Sequence, residues 1–392
     1  MNLNILKPEI RDFVNKHIGV DVSGLALTKN PFPHIDWHLI LNQIAAKSKA
    51  KEKFPEWYSN DSIFYPGKIS IEQSSSEATA KYKAGLVAGK MLIDMTGGMG
   101  IDDYFFSKTV AAVVHCETDS ALSEIAAHNF KHLGAKNITC IAGDSLQTLK
   151  DLKHNFDWMY IDPSRRNDKK GKVFMLADCL PNVPAHLATF FSKTDNILLK
   201  TAPLLDISAG LSELQFVKEI HIVAVKNEVK ELLWLLSKGY TDKVRILAVN
   251  LTDGQPDAFE YKLGDNVVAH FGTPKKYLYE PNAAIMKSGG FNAVSAFFCI
   301  EKLHKHSHLY TSDKIIDFPG RTFQIDQQIS YTKSGMHEIA NIDKANISVR
   351  NFPDSVENIR KQHKIVEGGS LYCFFTTDVN DNKIVLICTK LK

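Results

Sequence analysis

Short apolar runs recur through the middle of the chain, each ending on an acid and each separated from the next by polar or helix-like segments. Met91-Leu-Ile-Asp94, Ala112-Val-Val-His-Cys-Glu117, Ile138-Thr-Cys-Ile-Ala-Gly-Asp144 and Trp158-Met-Tyr-Ile-Asp162 have the length and composition of buried strands. Between the second and third, Leu122, Ile125, Ala126 and Phe130 fall on one helical face, so residues 120–133 read as a helix that Gly134 stops. Strands alternating with helices predict an α/β domain on a mostly parallel sheet. Ile197–Ala202, Glu219–Val225 and Val244–Asn250 continue the series. Over residues 228–238 two readings stay open: Val229, Leu232, Leu233 and Leu236 sit at helical spacing, yet Lys226-Asn-Glu228 equally turns a hairpin.

Four regions follow from this pattern. Residues 1–85 read as helical, with Trp37–Ala45 the clearest amphipathic stretch, a Lys/Glu-rich continuation through Lys53, and breaks at Pro31, Pro33, Pro55 and Pro66. Residues 86–252 carry the sheet, 253–318 a connecting subdomain, and 319–392 an α+β unit that closes on the strand Lys383–Thr389.

The densest chemistry follows the first strand. Three glycines within four positions, in Thr96-Gly97-Gly98-Met99-Gly100, let backbone approach a ligand closely, because glycine has no Cβ and tolerates positive φ. Asp94 at the strand tip can accept hydrogen bonds from a cationic amine. Glu117 falls about two dozen residues later, the interval at which nucleotide-binding folds place a ribose-binding acid. Asp144 can accept from an exocyclic amine such as that of adenine, and Asp162 repeats the device a fourth time. Each of these acids on its own also reads as a loop residue or helix cap. A nicotinamide dinucleotide fits poorly: the GxGxxG spacing is missing, and Asp102 and Asp103 are unfavourable beside a pyrophosphate.

The order DMTGGMG, then Glu117, Asp144 and Asp162-Pro-Ser-Arg165, resembles class I S-adenosylmethionine-dependent methyltransferases over residues 75–250. The resemblance implies a Rossmann-like, seven-stranded sheet, with S-adenosylmethionine as cofactor. Asp94, Thr96, Gly98 and Gly100 would then hold its methionine part, Glu117 the ribose hydroxyls and Asp144 the adenine. A cationic sulfonium also tolerates the two acids after the glycine turn. Glu72–Lys83, Tyr279–Met286 and Ala345–Pro353 extend the likeness to a bacterial branch of these enzymes with a C-terminal THUMP-like domain, preceded by a ferredoxin-like subdomain. THUMP domains accompany RNA modification, so the resemblance implies tRNA or rRNA as partner.

By the same resemblance the chemistry centres on Asp162 and Pro163. Enzymes of this fold that methylate amino nitrogens place a short acid or amide plus proline there, and its oxygens position the target group for transfer. Arg165 stands where that pattern has a stacking aromatic; a guanidinium can stack on a base or clamp a phosphate. Arg165, Arg166, Lys169, Lys170 and Lys172 form a basic run, which reads as a solvated loop or as phosphate contacts at the mouth of the site. Methylation of a protein or small molecule, and a noncatalytic RNA-binding protein with a relic cofactor pocket, are the alternatives.

Composition adds few constraints. With 392 residues, 44% hydrophobic and 23% charged, the chain is long enough for several globular domains. A net charge of +3 is too small to argue for nucleic acid by itself. No signal peptide or membrane span is expected, and the location implied is cytoplasmic. The six cysteines form no CxxC pair. His304, His306 and His308 lack an acid or cysteine at ligand spacing and read as an exposed polar strand or loop, so no metal is expected. Asn282, in Tyr279-Glu-Pro-Asn282, reads as part of a junction or a cleft lining. Tyr82 and Lys83 either contact the cofactor's carboxylate or pack.

Overall fold

The computed structural model describes residues 2–165, 175–339 and 342–392, with Arg165 described by its backbone alone. Contacts divide the chain into two compact units, Met1–Lys218 with Leu233–Thr241, and Glu219–Leu232 with Asp242–Lys392.

In the first unit the apolar runs become β1 (Gly89–Asp94), β2 (Val110–Glu117), β3 (Ile138–Ala142), β4 (Trp158–Ile161) and β5 (Asn196–Thr201). All pair in parallel: β1 lies between β2 and β4, β3 flanks β2, and β5 flanks β4. Leu92, Ile93, Met159, Ile161 and Ile197–Leu199 are fully buried, as expected where helices cover both faces of a parallel sheet. The order therefore reverses between β1 and β4, and the carboxyl ends of strands at such a switch point form the ligand crevice of open α/β sheets.

Helices α1 (Glu77–Ala84), α2 (Ile101–Phe106), α3 (Ser120–His132) and α4 (Ser145–Asp151) connect or precede these strands. Asp119 caps α3 by accepting the Ala121 and Leu122 amides. Ahead of them come further helices, including Pro8–Lys16 and Trp37–Lys53. Ile10, Val14, Ile40 and Ile44 bury one face against Phe64. Asn129 of α3 fixes that segment by accepting from the Phe64 amide and donating to its carbonyl, both at 2.9 Å.

Residues 228–238 resolve as the second arm of a hairpin. β6 (Val217–Val225) turns through Lys226 and Asn227, with φ of 49° and 66°, into β7 (Glu228–Ser237). Two successive left-handed residues form the type I′ turn that matches the strands' twist. Leu232, Leu233, Trp234, Leu235 and Leu236 are all buried, so the apolar spacing reflects a strand covered on both faces rather than one helical face. In the second unit β6 pairs in parallel with β8 (Arg245–Leu251), which pairs antiparallel with β9 (Asp257–Lys262). The larger sheet runs β9-β8-β6-β7-β5-β4-β1-β2-β3, nine strands among the described residues where the sequence predicted seven. The additions are β7 and the edge strand β9, whose one buried position, Phe259, gives little periodic signal.

The second unit also holds a seven-stranded sheet of β10 (Tyr277–Pro281), β11 (Glu301–Lys302), β12 (Tyr310–Ser312), β13 (Gly320–Ser330), β14 (Lys344–Arg350), β15 (Val366–Thr377) and β16 (Lys383–Lys390), in the order β11-β12-β10-β13-β16-β15-β14. One face buries Leu278, Phe323, Phe374 and Leu386; the other buries Phe375, Val385 and Ile387 with Ile359 of the helix Val356–His363. Glu280, buried in β10, pairs with Arg321 of β13 and Arg350 of β14. Asn282 is buried and caps the helix Ala283–Ser288 through the Ile285 amide. The His304–His308 stretch is a loop exposed at Lys305 and His306, but the histidines at its two ends are packed. His304 is buried and bonded to Asp381 and Asn351, while His308 stacks on Phe291 at 3.5 Å between ring centroids.

Candidate active site

At the switch point the glycine turn is tied to three strand tips. The Gly97 amide donates to the Cys116 carbonyl of β2 at 2.8 Å, and the Gly98 amide donates to Glu117 Oε2 at 2.8 Å. Asp94 Oδ1 accepts both the amide and the hydroxyl of Thr96, at 2.7 and 3.1 Å, and Thr96 Oγ1 in turn accepts the Asp162 amide at 2.7 Å. Asp94, Thr96, Gly98, Glu117 and Asp162 are thus brought together by direct hydrogen bonds.

The glycines divide the work. Gly98 and Gly100 hold φ of 58° and 85°, which any other L-residue adopts only with strain. A Cβ on Gly97 would lie 2.2 Å from Cε1 of His115, and one on Gly100 would lie 2.2 Å from Cζ of Phe130. Those two positions need hydrogen because protein packs against them. Among the described residues a Cβ on Gly98 would meet nothing closer than the Thr96 carbonyl at 3.8 Å.

The four acids sit in four environments. Asp94 is only 1% exposed, so its carboxyl lies under the turn rather than at the rim where it was expected to meet an amine directly. Burial, followed by the charge of Asp103, lifts its pKa well above the usual carboxylate range. Glu117 stands at the rim with both oxygens already accepting amides, from Gly98 and Asp119; each carboxylate oxygen keeps a further lone pair. Asp144 is exposed and caps α4 through the Gln147 amide at 2.8 Å. Asp162 is partly exposed, and the Lys200 ammonium of β5 pairs with its Oδ2.

Several contacts escaped the sequence reading. Beneath Gly97, His115 Nδ1 and Asp103 Oδ2 lie 2.6 Å apart, both fully buried. Burial pushes the Asp103 carboxyl up, with Asp102 adding to the effect, and pushes the His115 imidazole down. Beside them, Asp102 accepts from Ser75 and Tyr160 at 2.8 Å each and pairs with Lys83 Nζ at 3.2 Å. Burial raises the Asp102 pKa, but the opposing charges of Lys83 and Lys200 outweigh it. Lys83 is fully buried against Asp102 and Ser75, which answers the packing alternative posed for it. Lys200 had one legible signal: it is the lone charge in the run Ile197-Leu-Leu-Lys-Thr201, and the parallel register that sets Ile161 opposite Leu199 aligns it with Asp162.

After Asp162 and Pro163, Ser164 and Arg165 form a short strand paired with Cys179–Leu180. The Arg165 side chain, Arg166, Lys169, Lys170 and Lys172 lie outside the described residues. Among the described residues, no group of three or more His, Cys, Asp or Glu side chains could hold a metal ion, and no helix is long and apolar enough to cross a membrane.

Residues 277–319 match a family model described as a ferredoxin-like domain, and residues 320–390 match one described as THUMP domain-like. Two Mycobacterium tuberculosis proteins, from strains CDC 1551 / Oshkosh and ATCC 25618 / H37Rv, are curated as uncharacterized S-adenosylmethionine-dependent methyltransferases. Each is 22% identical over 276 residues, 69% of this chain and 72% of the relative. A crystal structure of a candidate methyltransferase from Porphyromonas gingivalis W83 superposes with a TM-score of 0.89 at 30% identity, covering 99% of this chain and 98% of that one. The chain belongs to this family of S-adenosylmethionine-dependent methyltransferases, with a THUMP-like domain at its C-terminus.

Proposed function

We propose that the enzyme transfers the methyl group of S-adenosylmethionine to a nucleotide of tRNA or rRNA. The observation that carries this reading is the pairing of a switch-point methyl-transfer site with a C-terminal region that matches a THUMP domain-like model. The basic run from Arg165 to Lys172, directly after Asp162, supplies charge suited to phosphates.

In this reading Thr96, Gly98 and Gly100 receive the cofactor's methionine part, Glu117 the ribose and Asp144 the adenine edge. Asp94 acts from below by fixing Thr96. Asp162 and Pro163 hold the acceptor group in line with the sulfonium, while Arg165, Arg166, Lys169 and Lys170 meet the RNA. Most of the rate enhancement asked of the protein is positioning of this kind.

Nucleoside mass spectrometry of RNA from a deletion strain and its parent tests the proposal. Loss of one methylated nucleoside, restored by the purified enzyme and cofactor in vitro, is the expected result. Unchanged nucleosides together with labelling of a protein or small-molecule fraction would transfer the assignment to that acceptor class.

A further inference from the structure

Asp162 is an oriented acceptor. Its backbone is tied to Thr96 Oγ1 at 2.7 Å, and one carboxylate oxygen, Oδ2, is held by Lys200. Lys200 is only 13% exposed while Asp162 is 34% exposed, so the cation lies on the protein side and the carboxylate reaches outward. Oδ1 makes no hydrogen bond with the described residues. The same ammonium also acts electrostatically on Asp102, which is held by Lys83, Ser75 and Tyr160. Cations and carboxylates therefore alternate from the buried Lys83 to the rim: Lys83, Asp102, Lys200, Asp162.

A carboxylate clamped at one oxygen can still accept a hydrogen at the other, but it cannot donate one. It helps an acceptor that carries a hydrogen and offers nothing to one that presents only a lone pair. Resting on the reading of Asp162 given above, we propose that Lys200 is a positioning residue for methyl transfer, and that the acceptor is an N–H or O–H group whose proton passes to Asp162. In this step the acceptor's lone pair forms the new bond to the methyl carbon. The carbon–sulfur bond breaks and its electron pair stays on sulfur, which becomes a neutral thioether. The acceptor's proton moves to Asp162 Oδ1 and then to water, while Lys200 keeps its charge throughout.

The test uses the full-length enzyme with S-adenosylmethionine labelled in the methyl group and a total extract from a strain lacking the protein, which supplies acceptors of every class. Lys200→Met should leave cofactor affinity by calorimetry within a few fold and lower kcat by roughly thirtyfold or more with little change in KM, because the lost contact orients a group used in the transition state. Lys200→Arg should restore most of kcat. In an Asp162→Asn background, Lys200→Met should cost little more, since the pair acts as a unit. Mass spectrometry of the product should find the methyl group on a nitrogen or oxygen that bore hydrogen.

A Lys200→Met enzyme that binds cofactor and turns over at the parental rate would overturn the positioning role. So would full additivity with Asp162→Asn. Methylation of a carbon or of a hydrogen-free ring nitrogen would overturn the acceptor class. Sensitivity of the label to protease instead of nuclease would reject the RNA reading while leaving the Lys200 comparison to be made on the labelled protein. No labelled acceptor in any fraction, with cofactor bound, would reject both.

Discussion

The glycine turn yields the sharpest prediction, because adjacent glycines should fail in opposite ways. In Gly97→Ala the new methyl group lands 2.2 Å from Cε1 and 2.3 Å from Nδ1 of His115. The ring would have to retreat by more than an ångström, yet it is fully buried and held by Asp103 at 2.6 Å. Overpacking of this kind costs about 1–3 kcal/mol, and disturbing a buried bond to a carboxylate adds about 1.5–3. The sum, about 2.5–6 kcal/mol, corresponds to a fall in Tm of roughly 5–24 °C for a unit of this size. Gly98→Ala meets no close atom among the described residues and carries the left-handed backbone cost of about 1–2 kcal/mol, or roughly 2–8 °C. Its Cβ projects on the side proposed for the cofactor, so affinity should fall by about tenfold or more as the close backbone approach is lost. Thermal denaturation and calorimetry with S-adenosylmethionine separate the two effects. Adding His115→Ala should remove most of the Gly97→Ala penalty, since the atoms that it meets are gone. Equal stability of the two alanine variants, or a Gly97→Ala penalty unchanged without the imidazole, would refute the division of roles.

Asp162→Ala should keep cofactor affinity within a few fold and slow transfer roughly a hundredfold, read as kcat in the labelling assay; parental turnover by a folded variant would remove Asp162 from the chemistry. Neutralising Lys169, Lys170 and Lys172 together should weaken RNA binding and reduce the log-log salt slope by up to about three, with cofactor affinity unchanged; an unaltered slope would place the phosphate contacts elsewhere. Burial and neighbouring cations depress His308 to about 4, so between that value and the imidazole's ordinary pKa the unfolded chain binds more protons than the native one. Its contribution is present above about pH 6.5 and is lost as pH falls toward 4, with stability rising with pH in between. His308→Phe, which keeps an aromatic ring against Phe291, should flatten that acid limb in denaturant titrations; an identical limb would exclude His308 as its source.

How much of this was legible in the sequence follows from which interactions are local. The strand ends at Asp94, Glu117 and Asp162, the Gly134 stop after α3 and the glycine turn lie within a few residues of the patterns that announce them, and all were readable. The hairpin was readable only as one of two alternatives, because β7 is buried on both faces and its run of leucines satisfies helical and extended spacing alike. Its decisive signal was the turn chemistry of Lys226 and Asn227. The partners of Lys200, His115 and Asp103 were hidden for another reason: strand register and helix packing set them. Asp94 faces His115 only because β1 and β2 pair with those residues opposite.

The same fact governs what the repeated acids mean. Sequence made Asp94, Glu117, Asp144 and Asp162 four instances of one device, a carboxylate after a strand. Their surroundings separate them. Asp94 is sealed beside another carboxyl, and its burial holds it toward the protonated form, which suits a group that shapes the turn and ill suits one that must present charge to a ligand. Glu117 keeps two amides at the rim and retains lone pairs for hydroxyls. Asp144 caps a helix with its side chain in water. Asp162 alone combines a fixed backbone, a paired lysine and a part-exposed carboxylate. Position after a strand brings an acid to the crevice, but its neighbours decide whether it is sealed beneath the turn, caps a helix or stays open at the rim.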